Sequence, residues 1–346
     1  MAAGKKRGPK KRGPSIADVA RLAGVSAQTV SRVSTGHERV LPETRKKVLA
    51  AMHEIGYSPN SAARALRVGK FGTIGLIAQQ FDRTGEILTT ASVIRAAESL
   101  GYSISIIQVS NPNVDELQLA SSRLSQQAID GLIVVRAGLA SAASLALPDH
   151  LPVVVSDSHL WEDFPSVIVD QAKGTRDAVN HLLSLGHKNV YHVTGDPDSA
   201  PALDRLEAWQ NCLVEAGIVP FAAWRGDWTA RSGYEAGKFI AKHPEITAVY
   251  CANDETAFGL LRSLQEEGVK VPQDVSVVGF DSIALSEYSF PPLTTVKPDY
   301  DAMGRQLMQR LVHEIENGRQ DQIDRTVVAT ELVVRGSTAP PPNARR

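Results

Sequence analysis

From Thr73 onward, short apolar runs alternate with amphipathic segments, and this alternation limits the chain to one class of fold. Runs such as TIGLIA, GLIVV and VSVVGF are short and continuous, as buried strands are, whereas SVIRAAESLG and FGLLRSLQEEG space their apolar residues as helices do. Strands and helices in alternation form β-α-β units around parallel sheets. The pattern is long enough for two doubly wound lobes, and such sheets bind ligands in the crevice at the carboxyl ends of their strands.

Charge divides the chain into two parts that the formal net charge of -1 conceals. Residues 1–70 hold 15 Lys and Arg against 4 Asp and Glu, whereas the rest of the chain holds 22 against 34. A strongly basic segment in front of an acidic body favours a part that binds a polyanion, joined to a part with another task.

Composition excludes several classes of protein. The two cysteines, Cys212 and Cys251, form no CxxC pattern and are too few for a disulfide framework, which fits a reducing compartment. The opening MAAGKKRGPKKRGPS has no apolar run, as a secretory signal would need, and no stretch approaches the roughly 18 apolar residues of a membrane span. We therefore expect a soluble cytoplasmic protein that associates with the nucleoid and not with a membrane.

The segment from Ile16 to Val33 contains two helical runs separated at Ala23 and Gly24. Ser26 stands where it can cap the second run, so the segment reads as a helix-turn-helix. Such a motif places the start of its second helix in the DNA major groove, where Gln can bond adenine, Arg can bond guanine or phosphate, and Ala fits a thymine methyl. The side chains so presented are Ala27, Gln28, Ser31 and Arg32. An ordinary helical hairpin is the alternative, and the basic surroundings weigh against it.

A third helix is predicted over 42–55, with Pro42 in its first turn and Gly56 just past its end. We expect its apolar face to close a three-helix core through Val48, Leu49, Met52 and Ile55. A further short helix is predicted over 61–68 with Asn60 as its cap, and it is too short to be stable alone in water.

The runs SIADVARLAGVSAQTVSRV and LPETRKKVLAAMHEIGYSPNSAARALR resemble the DNA-binding headpiece and hinge of the lactose-repressor (LacI/GalR) family. The resemblance implies a homodimer that binds double-stranded DNA at a palindromic operator. Its paired hinge helices would order on the DNA and insert Leu66 into the minor groove. The DNA-binding residues that it implies are Ser26, Ala27, Gln28, Thr29, Ser31, Arg32, Arg39, Asn60, Ala63 and Leu66.

Polar residues follow several predicted strands of the acidic body, namely Gln79, Gln80, Asp170, Asn253, Asp254 and Asp281. A neutral polyol needs such a mixture: carboxylates that accept from hydroxyl pairs, a guanidinium that donates twice, and an indole that stacks on the ring. Arg205 and Trp228 can supply the last two. Each of these residues, taken singly, can equally be a loop cap or a packing group.

The segments ALDRLEAW, GDWTARSGY, YCANDETAFGLL, VSVVGFDS and PPLTTVKPDY are similar to the effector-binding core of the same family, which has the fold of periplasmic sugar-binding proteins. The resemblance therefore implies an α helix-turn-helix headpiece joined to an α/β core of two doubly wound parallel-sheet lobes. It implies a sugar effector, with the Asp-Trp-Thr-Ala wording nearest to the galactoside-responsive branch. The implied effector-binding residues are Gln80, Asp82, Arg205, Trp228, Asn253, Asp281 and Tyr300.

The chain departs from the family pattern at three places. Leu41 stands where members carry Ser before the Pro-Glu-Thr-Arg run, and loss of that cap should weaken the third helix by about 1 kcal/mol unless the loop caps it otherwise. The loop AQQFDRTGEI replaces the usual Asn-Pro-Phe pattern. Arg136, after GLIVV, is either a specificity residue or a surface charge.

The predicted organisation starts with a basic disordered arm over 1–14, which is either a minor-groove arm or a solvated tail, followed by a helix-turn-helix domain over 15–59 and a hinge over 60–70. The core over 71–336 divides into lobe one, about 71–169 and 297–326, and lobe two, about 170–296 and 327–336. A Pro-rich disordered tail over 337–346 lacks the Leu heptads of a tetramerisation helix.

An enzyme and a transport binding protein are the alternatives to a regulator. His187 and His192 stand beside no GxSxG or Walker motif, and no His or Cys cluster has metal-ligand spacing, so neither an enzyme nor a metal or cofactor is implied. A transport binding protein would need a secretory signal and would have no use for residues 15–68. We predict a dimeric repressor released from its operator by a sugar inducer. The alternative is a regulator of the same fold in which a corepressor or a partner protein tightens DNA binding.

Overall fold

The computed structural model describes residues 13–34, 39–58, 70–78, 83–109, 114–125, 127–135, 145, 147–148, 150–318 and 323–342. The chain divides into two compact units, Met1–Phe71 and Gly72–Arg346. Most of the predicted basic arm and hinge lie outside the described residues. So do the predicted DNA contacts Asn60, Ala63 and Leu66, the predicted effector contacts Gln80 and Asp82, and Arg136.

Three helices form the described part of the first unit: α1 (Ile16–Ala23), α2 (Ala27–Ser34) and α3 (Pro42–Glu54). Ser15 and Asp18 cap α1 reciprocally, and Gly24 ends it in the left-handed region at φ 64°. The Ser26 hydroxyl accepts a hydrogen bond from the Thr29 amide at 3.1 Å, so the cap predicted for α2 is confirmed. Pro42 occupies the first turn of α3, as predicted, and Leu41 offers that helix no side-chain cap.

The core of this unit is the apolar face shared by the three helices. Val19, Val30 and Val48 are fully buried, and Met52 is nearly so. Leu49 was predicted to join them, but 52% of its surface is exposed. That prediction is wrong because one helical step of about 100° separates Leu49 from Val48, and the inward stripe continues through Ala51 and Met52 instead.

The second unit begins as an alternation of strands and helices. In chain order these are β1 (Thr73–Ala78), α4 (Thr84–Ser99), β2 (Ser103–Gln108), α5 (Val114–Ser125), β3 (Gly131–Val135), β4 (Val153–Ser156) and β5 (Ser166–Val169). The chain then passes into a second lobe through α6 (Gln171–Ser184), β6 (Tyr191–Val193), α7 (Ala200–Glu215), α8 (Ala230–Ile240), β7 (Ala248–Cys251), α9 (Asp254–Glu266), β8 (Ser276–Phe280) and β9 (Thr294–Pro298).

The chain returns to the first lobe through α10 (Tyr300–Asn317) and β10 (Arg325–Val328), and it ends in the second lobe with β11 (Thr330–Val333). The first sheet has the order β10-β5-β4-β3-β1-β2, and the second has the order β11-β9-β8-β7-β6. The strand pairs are parallel except for β11, which runs antiparallel to β9. The predicted α/β core of two lobes is therefore confirmed.

Two predicted boundaries move. Pairing in register carries β9 to Pro298 and β10 to Val328, so the chain crosses between lobes two residues later than expected at both places.

The tail predicted to be disordered from residue 337 is packed over 337–342: Ser337 is fully buried, and its hydroxyl donates to the Val277 carbonyl at 2.6 Å. A Pro-rich composition rules out a helix, but it leaves an extended chain free to bond to exposed backbone groups.

Among the described helices, none is both long and apolar enough to span a bilayer.

Candidate functional site

The start of α2 presents polar side chains to solvent while its opposite face is anchored in the core. Ala27, Gln28 and Arg32 are exposed, whereas Val30 and Val33 are buried. The remaining predicted contacts are Thr29 and Ser31, which are half-buried, and Arg39, which is exposed. The Ser26 hydroxyl lies 2.9 Å from that of Thr29 and also caps the helix, so Ser26 first of all holds the helix start in place. A capped helix start with an exposed amide and guanidinium has the form that enters a major groove.

In the second unit, Arg205 on α7 is the centre of a buried cluster at the carboxyl ends of the strands, with 1% of its surface exposed. Its Nε donates to Gln171 Oε1 at 2.8 Å, and its Nη1 donates to the Ala252 carbonyl. Its Nη2 lies 3.7 Å from Asp281 Oδ1, and its Cζ lies 3.4 Å from the centre of the Phe280 ring. A buried guanidinium is tolerated only with partners of this kind, so the cluster holds Arg205 in one orientation.

Asp281 follows β8 directly and has a backbone φ of 98°, a region that non-glycine residues rarely adopt. Its amide donates to the Val296 carbonyl at 2.8 Å, and the Tyr300 hydroxyl donates to its Oδ1 at 3.0 Å. Backbone strain of this sort persists where the surrounding structure holds a functional group in place. Tyr300 therefore serves as a hydrogen-bond partner of Asp281.

A hydrogen bond from the Asn253 side chain to the backbone joins Asn253 to Trp228. The Asn253 Nδ2 donates to the Trp228 carbonyl at 3.0 Å, and its Oδ1 accepts from the Thr256 amide at 3.0 Å, which caps α9. Trp228 has φ 72°, and its indole is 6% exposed with Arg205 Cζ at 5.3 Å. A Cβ at position 195 would lie 2.4 Å from the indole ring, so the close approach requires Gly195. Asn253 positions the indole, and each end of its amide can make one further bond.

The structure adds three residues that the sequence did not single out. Gln171 contacts Arg205, while its predicted neighbour Asp170 caps α6 by accepting from the Lys173 amide at 2.9 Å. Asp157 follows β4 with φ 44° and accepts from the Val169 amide at 3.1 Å. Glu255, on α9, receives a hydrogen bond from Thr84 of the other lobe. Only their position at strand ends could have indicated them, and many loop residues share that position.

Three buried polar atoms of the cluster have no hydrogen-bond partner within the described part of the chain: Gln171 Nε2, Trp228 Nε1 and Glu255 Oε2. A buried donor or acceptor left unpaired costs about 1–3 kcal/mol, so such atoms cluster where a ligand completes them. Two donors and one acceptor match a ligand that both accepts and donates hydrogen bonds.

Asp254, between Asn253 and Glu255, bonds to the loop after β8 and to β9. Burial raises the pKa of Asp254 to about 7, against hydrogen bonds that favour the ionised form. Its Oδ2 accepts from the Ser286 hydroxyl at 2.6 Å and from the Ile283 amide at 2.9 Å, which fixes the loop after Asp281. Its Oδ1 accepts from the Thr295 hydroxyl at 2.6 Å. Asp254 is thus fully engaged by protein groups and shapes the cluster without facing it.

The two histidines considered as catalytic candidates are packing groups. His192 is fully buried, its ring centre lies 4.7 Å from that of Tyr250, and burial lowers its pKa to about 4. His187 is 4% exposed and bonds Thr247 at 2.8 Å and the Ala339 carbonyl at 2.9 Å. No group of three or more His, Cys, Asp or Glu in the described ranges could hold a metal ion.

Comparison with known proteins matches both regions. The family model "Bacterial regulatory proteins, lacI family" matches residues 15–60, and "Periplasmic binding protein-like domain" matches residues 179–338. The HTH-type transcriptional repressor PurR of Erwinia tasmaniensis is 34% identical over 342 residues, which cover 95% of this chain and 98% of that protein. The lactose operon repressor of Escherichia coli (strain K12) is 32% identical over 331 residues, covering 94% and 91%.

Solved structures agree with these matches. A structure of the lac repressor dimer bound to operator and the anti-inducer ONPF superposes with a TM-score of 0.82 at 31% identity, covering 95% of this chain and all (100%) of that one. A complex of the transcriptional regulator CelR with cellobiose gives a TM-score of 0.70 at 28% identity, covering 94% and 99%. The similarity thus extends over both units of the chain.

Proposed function

Because this chain belongs to the lacI family of bacterial regulatory proteins, we propose that it is a homodimeric repressor that a neutral sugar releases from a palindromic operator. A galactoside is the first candidate for that sugar. The observation that carries the effector proposal is the Arg205 cluster, whose Gln171, Trp228 and Glu255 present buried donors and an acceptor without partners in the described chain.

The charge of the cluster favours an uncharged effector. In the described part of the crevice, the carboxylates of Glu255 and Asp281 lie near the Arg205 guanidinium, which is already bonded to protein groups. Among the described residues of the cluster, a phosphorylated or carboxylated ligand would meet these carboxylates and a guanidinium already bonded to the protein. Hydroxyl groups, in contrast, can accept from the indole and the amide and donate to a carboxylate.

Three similar structures hold compounds that support a sugar-like effector. The lac repressor structures carry ONPF and ONPG, and the CelR structure carries the disaccharide cellobiose. The relatives do not separate effector classes, because a PurR at 34% identity and a lactose operon repressor at 32% are nearly equally similar. A regulator that a corepressor tightens on DNA therefore stays as the second candidate.

DNA binding is assigned to the exposed start of α2, with Ala27 and Gln28 reading bases and Arg32 supporting them. Ser26, Thr29, Ser31 and Arg39 are proposed as accompanying contacts to the backbone and groove edge. Asn60, Ala63 and Leu66 of the hinge are proposed as minor-groove contacts on the strength of the family resemblance.

The dimer proposal has an apolar surface to support it. Leu285, Tyr288 and Phe290 lie in the loop between β8 and β9 and are 64%, 79% and 95% exposed. Exposed apolar groups clustered in one loop are typical of a protein interface. The similar lac repressor structure is described as a dimer bound to operator.

Fluorescence anisotropy on the palindrome upstream of the gene or its neighbours, at fixed salt, tests the proposal. We expect tight binding that galactosides or another neutral sugar releases, and that anionic analogues leave intact. Arg205→Ala should retain DNA binding and lose the release, because Asp281 and Gln171 are left without their buried partner. Tighter DNA binding on adding a ligand would establish the corepressor candidate instead, and release by sugar from Arg205→Ala at the same concentration would contradict the assigned site.

A further inference from the structure

Two side-chain contacts join the lobes at the mouth of the crevice. Arg83 Nη2, in lobe one, lies 2.9 Å from Asp196 Oδ2, in lobe two. The next residue, Thr84, donates its hydroxyl hydrogen bond to Glu255 Oε1, which is also in lobe two. Arg83 and Thr84 begin α4, whereas Asp196 follows β6 and Glu255 lies in the first turn of α9. The two contacts therefore tie the carboxyl end of one sheet to that of the other.

The ion pair is partly sheltered, with the side chains of Arg83 and Asp196 16% and 29% exposed. The second oxygen of Asp196 accepts from the Asp198 amide at 3.0 Å, which fixes the carboxylate toward Arg83. Pairs that are fixed and partly desolvated contribute more than freely exposed ones.

The position of Arg83 at the start of α4 does not stabilise its positive charge. Arg83 is at the N-terminal end of α4, where the helix dipole disfavours a cation, and it gives that helix no side-chain cap. Among the described residues, the partner of its guanidinium is Asp196, across the crevice.

Glu255 connects this contact to the Arg205 cluster. Glu255 lies two residues after Asn253 in the first turn of α9, and burial together with the negative charge of Asp281 raises the pKa of its carboxyl group. One oxygen of Glu255 is bonded by Thr84, and the other is buried without a partner among the described residues. Glu255 thus takes part in the contact between the lobes and also lines the crevice.

We propose that Arg83, Thr84, Asp196 and Glu255 form an interlobe latch that holds the crevice in its effector-ready geometry. They are positioning residues of the effector site. The latch is made between protein groups, so it biases the lobes toward closure before an effector arrives. The consequence for effector affinity rests on the proposed function: apparent affinity falls in proportion to the fraction of molecules in the competent state.

Single-molecule energy transfer on the full chain measures lobe closure without effector or DNA. Dyes are attached at Glu98→Cys in α4 and Arg231→Cys in α8, both exposed positions, while the native Cys212 and Cys251 are buried. Mixing with excess unlabelled chain leaves at most one labelled subunit in nearly every dimer. We expect one dominant closed population in the otherwise unchanged protein.

Arg83→Met and Thr84→Val should each raise the ratio of open to closed molecules about two- to tenfold, and the reversed pair Arg83→Glu with Asp196→Arg should restore closure. The matched control is Arg95→Met, also on α4, which removes an ion pair to Asp301 within lobe one and should leave closure unchanged. An unchanged ratio in Arg83→Met, or an equal rise in Arg95→Met, would overturn the latch. Because the readout uses neither sugar nor operator, a failure of the proposed effector would not alter it.

Discussion

At the scale of single residues, Gln28 illustrates how a short helix offers sequence information. It is exposed in the first turn of α2, next to Ala27, while Val30 and Val33 hold the helix to the core. A side-chain amide can bond an adenine edge through a donor and an acceptor at once. Nothing else in the described headpiece requires an amide at this position.

We expect Gln28→Ala to relax the preference for one base pair of the operator by about 1 to 3 kcal/mol, because the bidentate contact is lost. Binding should be measured on an operator and its single-base variants at fixed salt. Lys47→Ala, on the exposed face of α3, is the matched control: it should weaken all sites equally and lower the salt slope by about 1. Equal weakening of all sites by Gln28→Ala would make it a backbone contact.

His192 shows the cost of an ionisable group in a core. Its Nδ1 lies 2.9 Å from the Tyr250 carbonyl, and its Nε2 has no partner within the described chain. Burial lowers its pKa from 6.5 to about 4, so the folded protein keeps the ring neutral where the unfolded chain protonates it.

The stability that this arrangement contributes is therefore complete above pH 6.5 and is lost as the pH falls toward 4, by up to about 3 kcal/mol. We expect His192→Asn, which can still donate to the Tyr250 carbonyl but cannot titrate, to flatten the pH dependence of unfolding across that window. Denaturant unfolding at several pH values measures it. His313→Asn, on the exposed face of α10, should leave the slope as it is; an unflattened slope in His192→Asn would contradict the assignment.

At the scale of elements, α3 is a helix whose N-cap residue makes no side-chain hydrogen bond. Leu41 occupies its cap position with no side-chain hydrogen bond, and 74% of the leucine is exposed. Leu41 thus supplies no side-chain oxygen to the first free amides of the helix, whereas Ser15 supplies one for α1 and Ser26 supplies one for α2. The expected loss of the cap is confirmed at this position.

Leu41→Ser should stabilise α3 by about 1 kcal/mol, since a serine hydroxyl can accept from the amides of the first turn. Hydrogen exchange of the α3 amides in the full chain reports the gain. Leu49→Ser removes another exposed leucine, inside the same helix, where serine caps nothing, and we expect it to lower protection slightly. A gain in both variants would point to the removal of exposed apolar surface as the cause.

At the scale of the whole molecule, the end of the chain closes the second lobe. The Ser337 hydroxyl accepts from the Thr294 amide at 2.8 Å, and the Ser337 carbonyl accepts from the Val277 amide at 2.9 Å. The Ala339 amide donates to the Ser276 hydroxyl at 3.0 Å. These bonds satisfy groups of β8 and β9 that would otherwise be buried and unpaired.

Ending the chain after Gly336 should lower the free energy of unfolding of the core by about 2 to 4 kcal/mol, because several of these groups lose their partners. Ending it after Pro342 removes only 343–346 and serves as the control, with no change expected. Thermal and denaturant unfolding of both proteins measure the difference. An unaffected core in the shorter protein would show that the packed tail contributes nothing.

Much of the fold and part of the site could be predicted from local patterns. Buried runs and helical periods indicate β-α-β units, and Ser26, Pro42 and Gly56 mark helix ends by rules that act within a few residues. Arg205, Trp228, Asn253 and Asp281 lie in sequence motifs that the chain shares with the family, and the structure brings them together. Gln171 and Asp157 were not predicted, because the groups that they bond are not their neighbours in sequence.

The sequence by itself thus determined the elements, their class of sheet and the charge division between the two units, because these depend on neighbours in the chain. Only the tertiary structure decided which side of α3 excludes Leu49, where the tail after Gly336 packs, and that Arg83 and Thr84 meet Asp196 and Glu255. The contacts of Arg83 and Thr84 join segments more than a hundred residues apart. Their geometry follows from how the two sheets face each other, and no local pattern encodes that.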